Sequence, residues 1–193
     1  MIPSYDRATL EELLDGRLPW PEVHGIMSAF KDPDRFDKML EIHQARMVWS
    51  DRILLPYGEH LYIVETDDRR RIVKCACGQE LGDYRSNWKL EALVRVRSTQ
   101  AEIEELYPKM MAATAGWMEL REFICPGCKT LLEVEAVPPG YPIVFDFQPD
   151  LEAFYAEWLG RPLPPASRGS GSTLLKQSEI QGIGSIQSDP ILL

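Results

Sequence analysis

Cys75-Ala76-Cys77-Gly78 and Cys125-Pro126-Gly127-Cys128 are the two stretches that decide how this chain reads, and 47 residues lie between Cys77 and Cys125. Each carries two thiols and a glycine between residues that favour strands, so each reads as the turn of a β-hairpin. A tight turn aims two thiolates at one point while its backbone N–H groups support the sulfurs. Two such turns supply Cys75, Cys77, Cys125 and Cys128, a set that fills the tetrahedral shell of Zn²⁺ and leaves no position open. A closed shell is structural, and its binding free energy becomes folding free energy. The first pair has a one-residue spacer where two or more are usual. Its chelation is tighter, and His60, the nearest histidine upstream, is the alternative source of one ligand. Three further readings compete. The thiols can be small buried apolar groups, they can form disulfides if the chain is exported, or Cys125 and Cys128 can be a redox dithiol. A redox centre places its first thiol at a helix N-terminus, where the dipole lowers the pKa. Here Lys129-Thr130-Leu131-Leu132-Glu133-Val134 follows, which alternates as a strand does.

Outward from the cysteines, branched residues mark strands at 52–55, 61–66, 70–74, about 81–84, 90–96, 117–124 and 130–137. One helix interrupts them. Thr99-Gln100-Ala101-Glu102 fits a capping box, and Pro108 marks that helix's end. The first fifty residues read instead as short helices. Thr9-Leu10-Glu11-Glu12 fits a second capping box, Asp15-Gly16 a stop, Pro21 a first-turn proline and Asp32-Pro33 a cap. Phe36, Met39, Leu40, His43 and Met47 then fall on one helical face. After an irregular connector, Pro138-Pro139-Gly140-Tyr141-Pro142, Asp150 caps a last helix that carries Leu151, Phe154, Tyr155, Trp158 and Leu159 and closes at Gly160. The expected fold is α+β: a zinc-ribbon-like antiparallel β core with short N-terminal helices, one inserted helix, a C-terminal helix and an extended tail. Its parts are a helical arm at 1–50, a ribbon domain with the inserted helix at 51–145, the C-terminal helix at 146–160 and a flexible tail at 161–193. Gly169-Ser170-Gly171-Ser172 reads there as a linker. The rest of the tail reads as a segment that orders on a partner or as an appended extension.

The chain has 193 residues and a formal net charge of −9. That balance opposes sequence-independent nucleic-acid binding, which needs cationic side chains on phosphates, and docking on anionic lipid. The one basic run, Arg69-Arg70-Arg71, follows Asp67-Asp68 and reads as a solvated hairpin tip. No apolar run approaches the ~20 residues of a membrane span. The first fifteen residues lack the basic start and apolar stretch of a signal peptide, so the expected compartment is the cytoplasm, where thiols stay reduced. There is no glycine-rich phosphate loop, metal-hydrolase helix or nucleophile elbow. Of the histidines, His24 and His43 lie in amphipathic helices and read as packing or interface residues. Phe154, Tyr155 and Trp158 form a packing face or, as the other reading, an anchor on a partner.

The segments also resemble a known family. Lys31-Asp32-Pro33-Asp34-Arg35-Phe36, Ile53-Leu54-Leu55-Pro56, Asn87-Trp88-Lys89-Leu90, Tyr107-Pro108, Arg121-Glu122-Phe123, both cysteine motifs and the stretch from Asp146 to Gly160 are similar, in that order, to the small (gamma) subunit of acetone carboxylase and of the related acetophenone carboxylase. The likeness covers roughly residues 5 to 165. It implies a multi-subunit complex that carboxylates a ketone with bicarbonate and ATP to give a 3-oxo acid: acetone to acetoacetate or, in the related enzyme, acetophenone to benzoylacetate. It places nucleotide and ketone chemistry on two larger subunits, with ATP, Mg²⁺ and, in the acetone enzyme, a catalytic Mn²⁺. It gives the small subunit zinc on Cys75, Cys77, Cys125 and Cys128, and carries no catalytic residue onto this chain. The expectation is therefore a non-catalytic, structural subunit of a C–C bond-forming ligase, within a hetero-oligomer and without nucleic-acid or membrane partners. The alternatives are a stand-alone zinc-ribbon module that binds protein or nucleic acid, and a dithiol redox protein.

Overall fold

A computed structural model describes residues 4–163. The proposed linker and most of the tail lie outside them. Over the described residues the chain is α+β, with two antiparallel sheets. In the first, β1 (Arg52–Pro56), β2 (Leu61–Glu65), β3 (Arg71–Cys75) and β4 (Glu80–Asp83) lie in sequence order. In the second, β5 (Leu93–Arg97), β6 (Glu119–Ile124) and β7 (Leu131–Val137) do the same. Within each sheet every strand pairs with its neighbour in sequence, and α4 (Gln100–Glu104) with the loop after it is inserted between the paired β5 and β6. The cysteine pairs fall at the β3–β4 and β6–β7 turns, one in each sheet.

The core lies where the sheets meet. Leu54, Leu61, Ile63, Val73 and Leu81 come from the first sheet, Phe123 from the second and Trp88 from the link between them. The Trp88 and Phe123 rings meet edge to face at 6.2 Å. The first sheet is covered on its other face too, where Leu40, Met47 and Trp49 pack on Ile53, Tyr62, Val64 and Ile72. Every residue of β2 is therefore buried, and Leu61-Tyr62-Ile63-Val64 is continuously apolar rather than alternating.

The helical arm comprises α1 (Arg7–Leu14), α2 (Trp20–Ser28) and α3 (Arg35–Arg46). Two of its starts differ from the sequence reading. α1 is capped by Asp6, whose carboxylate accepts the Thr9 N–H at 2.8 Å. Thr9 thus sits inside the first turn, because the carboxylate three residues earlier is the stronger cap. Asp32 is buried against the Arg35 guanidinium instead of capping, and α3 starts after Asp34. Arg46 forks onto Asp15 at 2.9 and 3.3 Å, tying α3 to the end of α1. The capping box at Thr99 and Glu102 is formed as read. So is the Asp150 cap on α5 (Leu151–Ala153), which continues as a π-type turn through Phe154–Trp158 and ends at Gly160 with φ 63°. Tyr155 is buried and donates its hydroxyl to the Leu54 carbonyl at 2.8 Å, while the Phe154 ring meets Phe36 of α3 at 5.1 Å. Trp158 stays exposed. The arginine run is split: Arg69 and Arg70 lie at the tip, but Arg71 is buried and reaches Glu152 at 2.7 Å.

The strand expected over 90–96 begins later. Asn87 caps a 3₁₀ turn, Trp88–Glu91, which turns Lys89 wholly inward. There its ammonium meets Glu133 at 2.7 Å, Glu135 at 2.5 Å and Asp146 at 3.0 Å. Burial works against the charge, but the three carboxylates outweigh it and hold the Lys89 pKa above its ordinary value. Asn87 donates to the Ile143 carbonyl at 3.3 Å and Arg121 to the Tyr141 carbonyl at 2.6 Å. These bonds strap the irregular connector across the second sheet.

Two measurements check this account. Lys89→Met keeps the length and removes the charge, leaving three carboxylates without their counter-ion. Chemical denaturation is expected to show a loss of about 3–5 kcal/mol. His43, half-buried with its Nδ1 3.2 Å from the Tyr62 hydroxyl, has its pKa pushed below 6.5, first by burial and then by Arg46. Below that value the unfolded chain takes up a proton that the folded chain refuses, so stability falls with falling pH until the lower folded-state pKa is passed. Unfolding midpoints compared between about pH 7.5 and 5.5 should decline less in His43→Gln than in the wild type.

Candidate metal centre

The chain reverses at each cysteine pair in nearly the same way. In the first turn the Cys75 N–H donates to the Gln79 carbonyl at 2.9 Å; in the second the Cys125 N–H donates to the Thr130 carbonyl at 2.9 Å. The residue after the second cysteine takes a positive φ in both, 98° at Gly78 and 64° at Lys129. The first turn is one residue shorter between its closing partners, which accommodates the one-residue spacer without changing the plan. Cys75 and Cys125 are buried ends of the apolar core, whereas Cys77 and Cys128 are exposed.

The four Sγ atoms all lie within 4.8 Å of one another. Contacts run between the turns: Cys75 to Cys128 at 3.8 Å and Cys77 to Cys125 at 3.7 Å. Sulfurs at tetrahedral corners around zinc, each about 2.3 Å from the ion, stand about 3.8 Å apart. A disulfide would need about 2.05 Å. The spacing and the all-sulfur donor set fit one tetrahedral ion. His60, the alternative ligand, is not in this cluster. Its backbone carbonyl accepts the Ala76 N–H at 2.9 Å, and its ring lies beside Glu59.

The thiols are electrostatically unequal. Burial pushes the Cys75 thiol well up, and burial likewise raises Cys77 against the support of the Gln79 N–H. The Cys128 thiol is lowered to about 6 by the Thr130 hydroxyl, 3.2 Å from its sulfur, and by the Thr130 backbone. A divalent cation among the sulfurs would supply the charge that lets Cys75 and Cys77 ionise as well. A redox dithiol is ordered the other way. Its low-pKa thiol leads a helix, whereas here the lowered thiol is the second of its pair, and β7 follows.

Two supporting residues were not singled out from sequence. Thr130 carried a signal in its place two residues after Cys128. Trp49 carried none, because it lies 27 positions from the carbonyl it serves: its indole N–H donates to Ala76 O at 3.0 Å. Its ring also stands against the first turn, where a Cβ at Gly78 would lie 3.4 Å from Trp49 Cδ1. Gly127 lets the second turn approach the first, since a Cβ there would lie 3.2 Å from Gln79 Cβ and 3.4 Å from Cys77 Sγ. Of the two histidines read as packing or interface residues, His43 packs on Tyr62, with ring centroids 5.4 Å apart, while His24 is exposed beside Trp20.

Residues 47–159, from the strand entry through both cysteine turns to the last helix, match the family described as acetone carboxylase gamma subunit. The chain is 46% identical over 162 residues to the acetone carboxylase gamma subunit of Xanthobacter autotrophicus, covering 83% of this chain and 96% of that protein. It is 34% identical over 84 residues to the acetophenone carboxylase beta subunit of Aromatoleum aromaticum, covering 42% of this chain and 64% of that one. In the acetophenone enzyme the matching chain is thus named beta rather than gamma. On these matches, and with the two-turn cysteine cluster in the matched span, the chain belongs to the acetone carboxylase gamma subunit family.

Proposed function

We propose that this chain is the zinc-binding structural subunit of an ATP-dependent ketone carboxylase, with Cys75, Cys77, Cys125 and Cys128 as the ligands. One observation carries the reading: four sulfurs from hairpins of two different sheets converge at the spacing of a tetrahedral shell. Four thiolates fill that shell and leave no position for a substrate. The residues therefore tie the sheets together. Trp49 steadies the first turn, Thr130 favours the thiolate of Cys128, and Gly127 keeps the turns close. The ion contributes positive charge and a fixed geometry.

The assembly is a hetero-oligomer with two larger subunits, which bind ATP, Mg²⁺ and Mn²⁺ and join bicarbonate to the ketone. The 46% identity over nearly the whole of an acetone carboxylase gamma subunit supports acetone, converted to acetoacetate, as the substrate. Acetophenone, converted to benzoylacetate, is the second reading, supported by the 34% match. Reduced thiols suit the cytoplasm, and no helix among the described residues is long and apolar enough to cross a membrane.

Co-expression of the full chain with two larger carboxylase subunits, followed by metal analysis, is expected to give one zinc per chain in a stable complex. Cys75→Ser should lose the metal, the stability and the assembly together. A metal-free sample that is fully folded, with four freely titrating thiols, would overturn the zinc assignment. Gly127→Ala should retain zinc but destabilise the metal-loaded protein by about 1–3 kcal/mol, read from its denaturation midpoint, as Gln79 and Cys77 shift to admit the methyl.

A further inference from the structure

Most of α2 is exposed. Ile26 is its buried residue, on the side away from Trp20 and Met27. Trp20, His24 and Met27 recur at helical spacing and form an outward stripe, and Phe30, two residues past the helix end, is exposed as well. Trp20 is 67% exposed, Met27 71% and Phe30 87%. Large apolar side chains rarely stand this open together unless they meet something. The stripe is also held in shape before it meets anything. Pro21 sits in the first turn, and the Trp20 and His24 rings lie 6.3 Å apart.

We propose that this stripe is the anchor by which the chain docks into an uncharged apolar groove of a larger carboxylase subunit, an inference that rests on the multi-subunit reading above. Anchors at i, i+4 and i+7 are what a groove reads from a helix, and Trp is among the side chains that carry most of an interface's binding energy. A second copy of this chain fits the stripe poorly. Three large side chains bury at most about 150–250 Å² each, short of the roughly 800 Å² per partner of a self-standing interface. Two chains of net charge −9 also repel. As one anchor within a wider contact against a larger chain, the same area is sufficient. An anionic lipid surface fits no better, because α2 carries Glu22 and no lysine or arginine.

The test uses the complex formed by co-expressing the full chain with the two larger subunits. In Trp20→Glu/Met27→Glu, the fraction of this chain retained with its partners should fall at least about 10-fold. Circular dichroism and zinc content of the isolated variant should stay at wild-type values. Glu22→Arg, on the opposite side of the helix, should assemble as the wild type does. Hydrogen exchange should show α2 amides slowed in the complex and fast in the isolated chain. Assembly of the double variant at wild-type levels overturns the proposal while leaving the subunit reading intact. So does a wild-type dimer that the double variant breaks, or slow α2 exchange in the isolated chain that becomes fast when 164–193 are deleted. A wild-type chain that fails to associate with the larger subunits at all sinks both.

Discussion

The four sulfurs sit where hairpins of two separate sheets meet, and much of the molecule's arrangement is set by bringing those hairpins together. Cys75 ends β3 and Cys125 follows β6, and both are part of the same buried cluster as Leu81, Trp88 and Phe123. Sheets of four and three strands have little apolar surface to share. An ion held between the turns, as proposed, would add a fixed joint at one end of that shared core. The joint is braced from outside by Trp49, which arrives on the connection between α3 and β1. The arm and the sulfur cluster are therefore mechanically linked, although Trp49 and Cys77 lie 28 positions apart in sequence.

The charge distribution follows a second logic. The chain is strongly acidic, yet Lys74, Lys89, Arg71, Arg97 and Arg121 are among its buried side chains. Each pairs with a carboxylate, and Lys89, Arg97 and Arg121 gather groups from more than one segment. Arg97 joins Glu122 of β6 at 2.9 Å and the Glu102 carbonyl of α4 at 3.0 Å. Lys89 gathers β7 and the connector. Buried cations are costly unless fully matched, and here they act as joints between segments that apolar contact alone covers incompletely.

What could be read from the sequence divides along the same line. The cysteine turns, the Thr99 capping box, the Asp150 cap and the Gly160 stop are local, each signalled by residues within a few positions of one another. β2 reads as a strand from its branched run, but that both its faces are covered depends on α3, far away in sequence. The reach of Lys89 is invisible to periodicity, since its partners lie 44 to 57 positions on and a lysine beside Trp88 and Leu90 looks like an exposed one. Asp6 and Asp32 show the limit of cap reading. Several acidic and hydroxyl residues compete at each helix start, and an ion pair with Arg35, three residues on, decides one of them. For the metal centre, all four sulfurs were legible as paired turns, whereas Trp49 was not.

The C-terminal latch has a consequence in time. Tyr155 closes on the Leu54 carbonyl across 101 positions, and Arg161 on Asp37 across 124. On a ribosome adding roughly 5–20 residues per second, about 5–20 s pass between the emergence of Leu54 and that of its partner. Throughout that interval β1 and α3 stand with one flank uncovered. The described part of the chain completes its packing only as the last described helix is made, so its earliest residues are among the last to be sheltered.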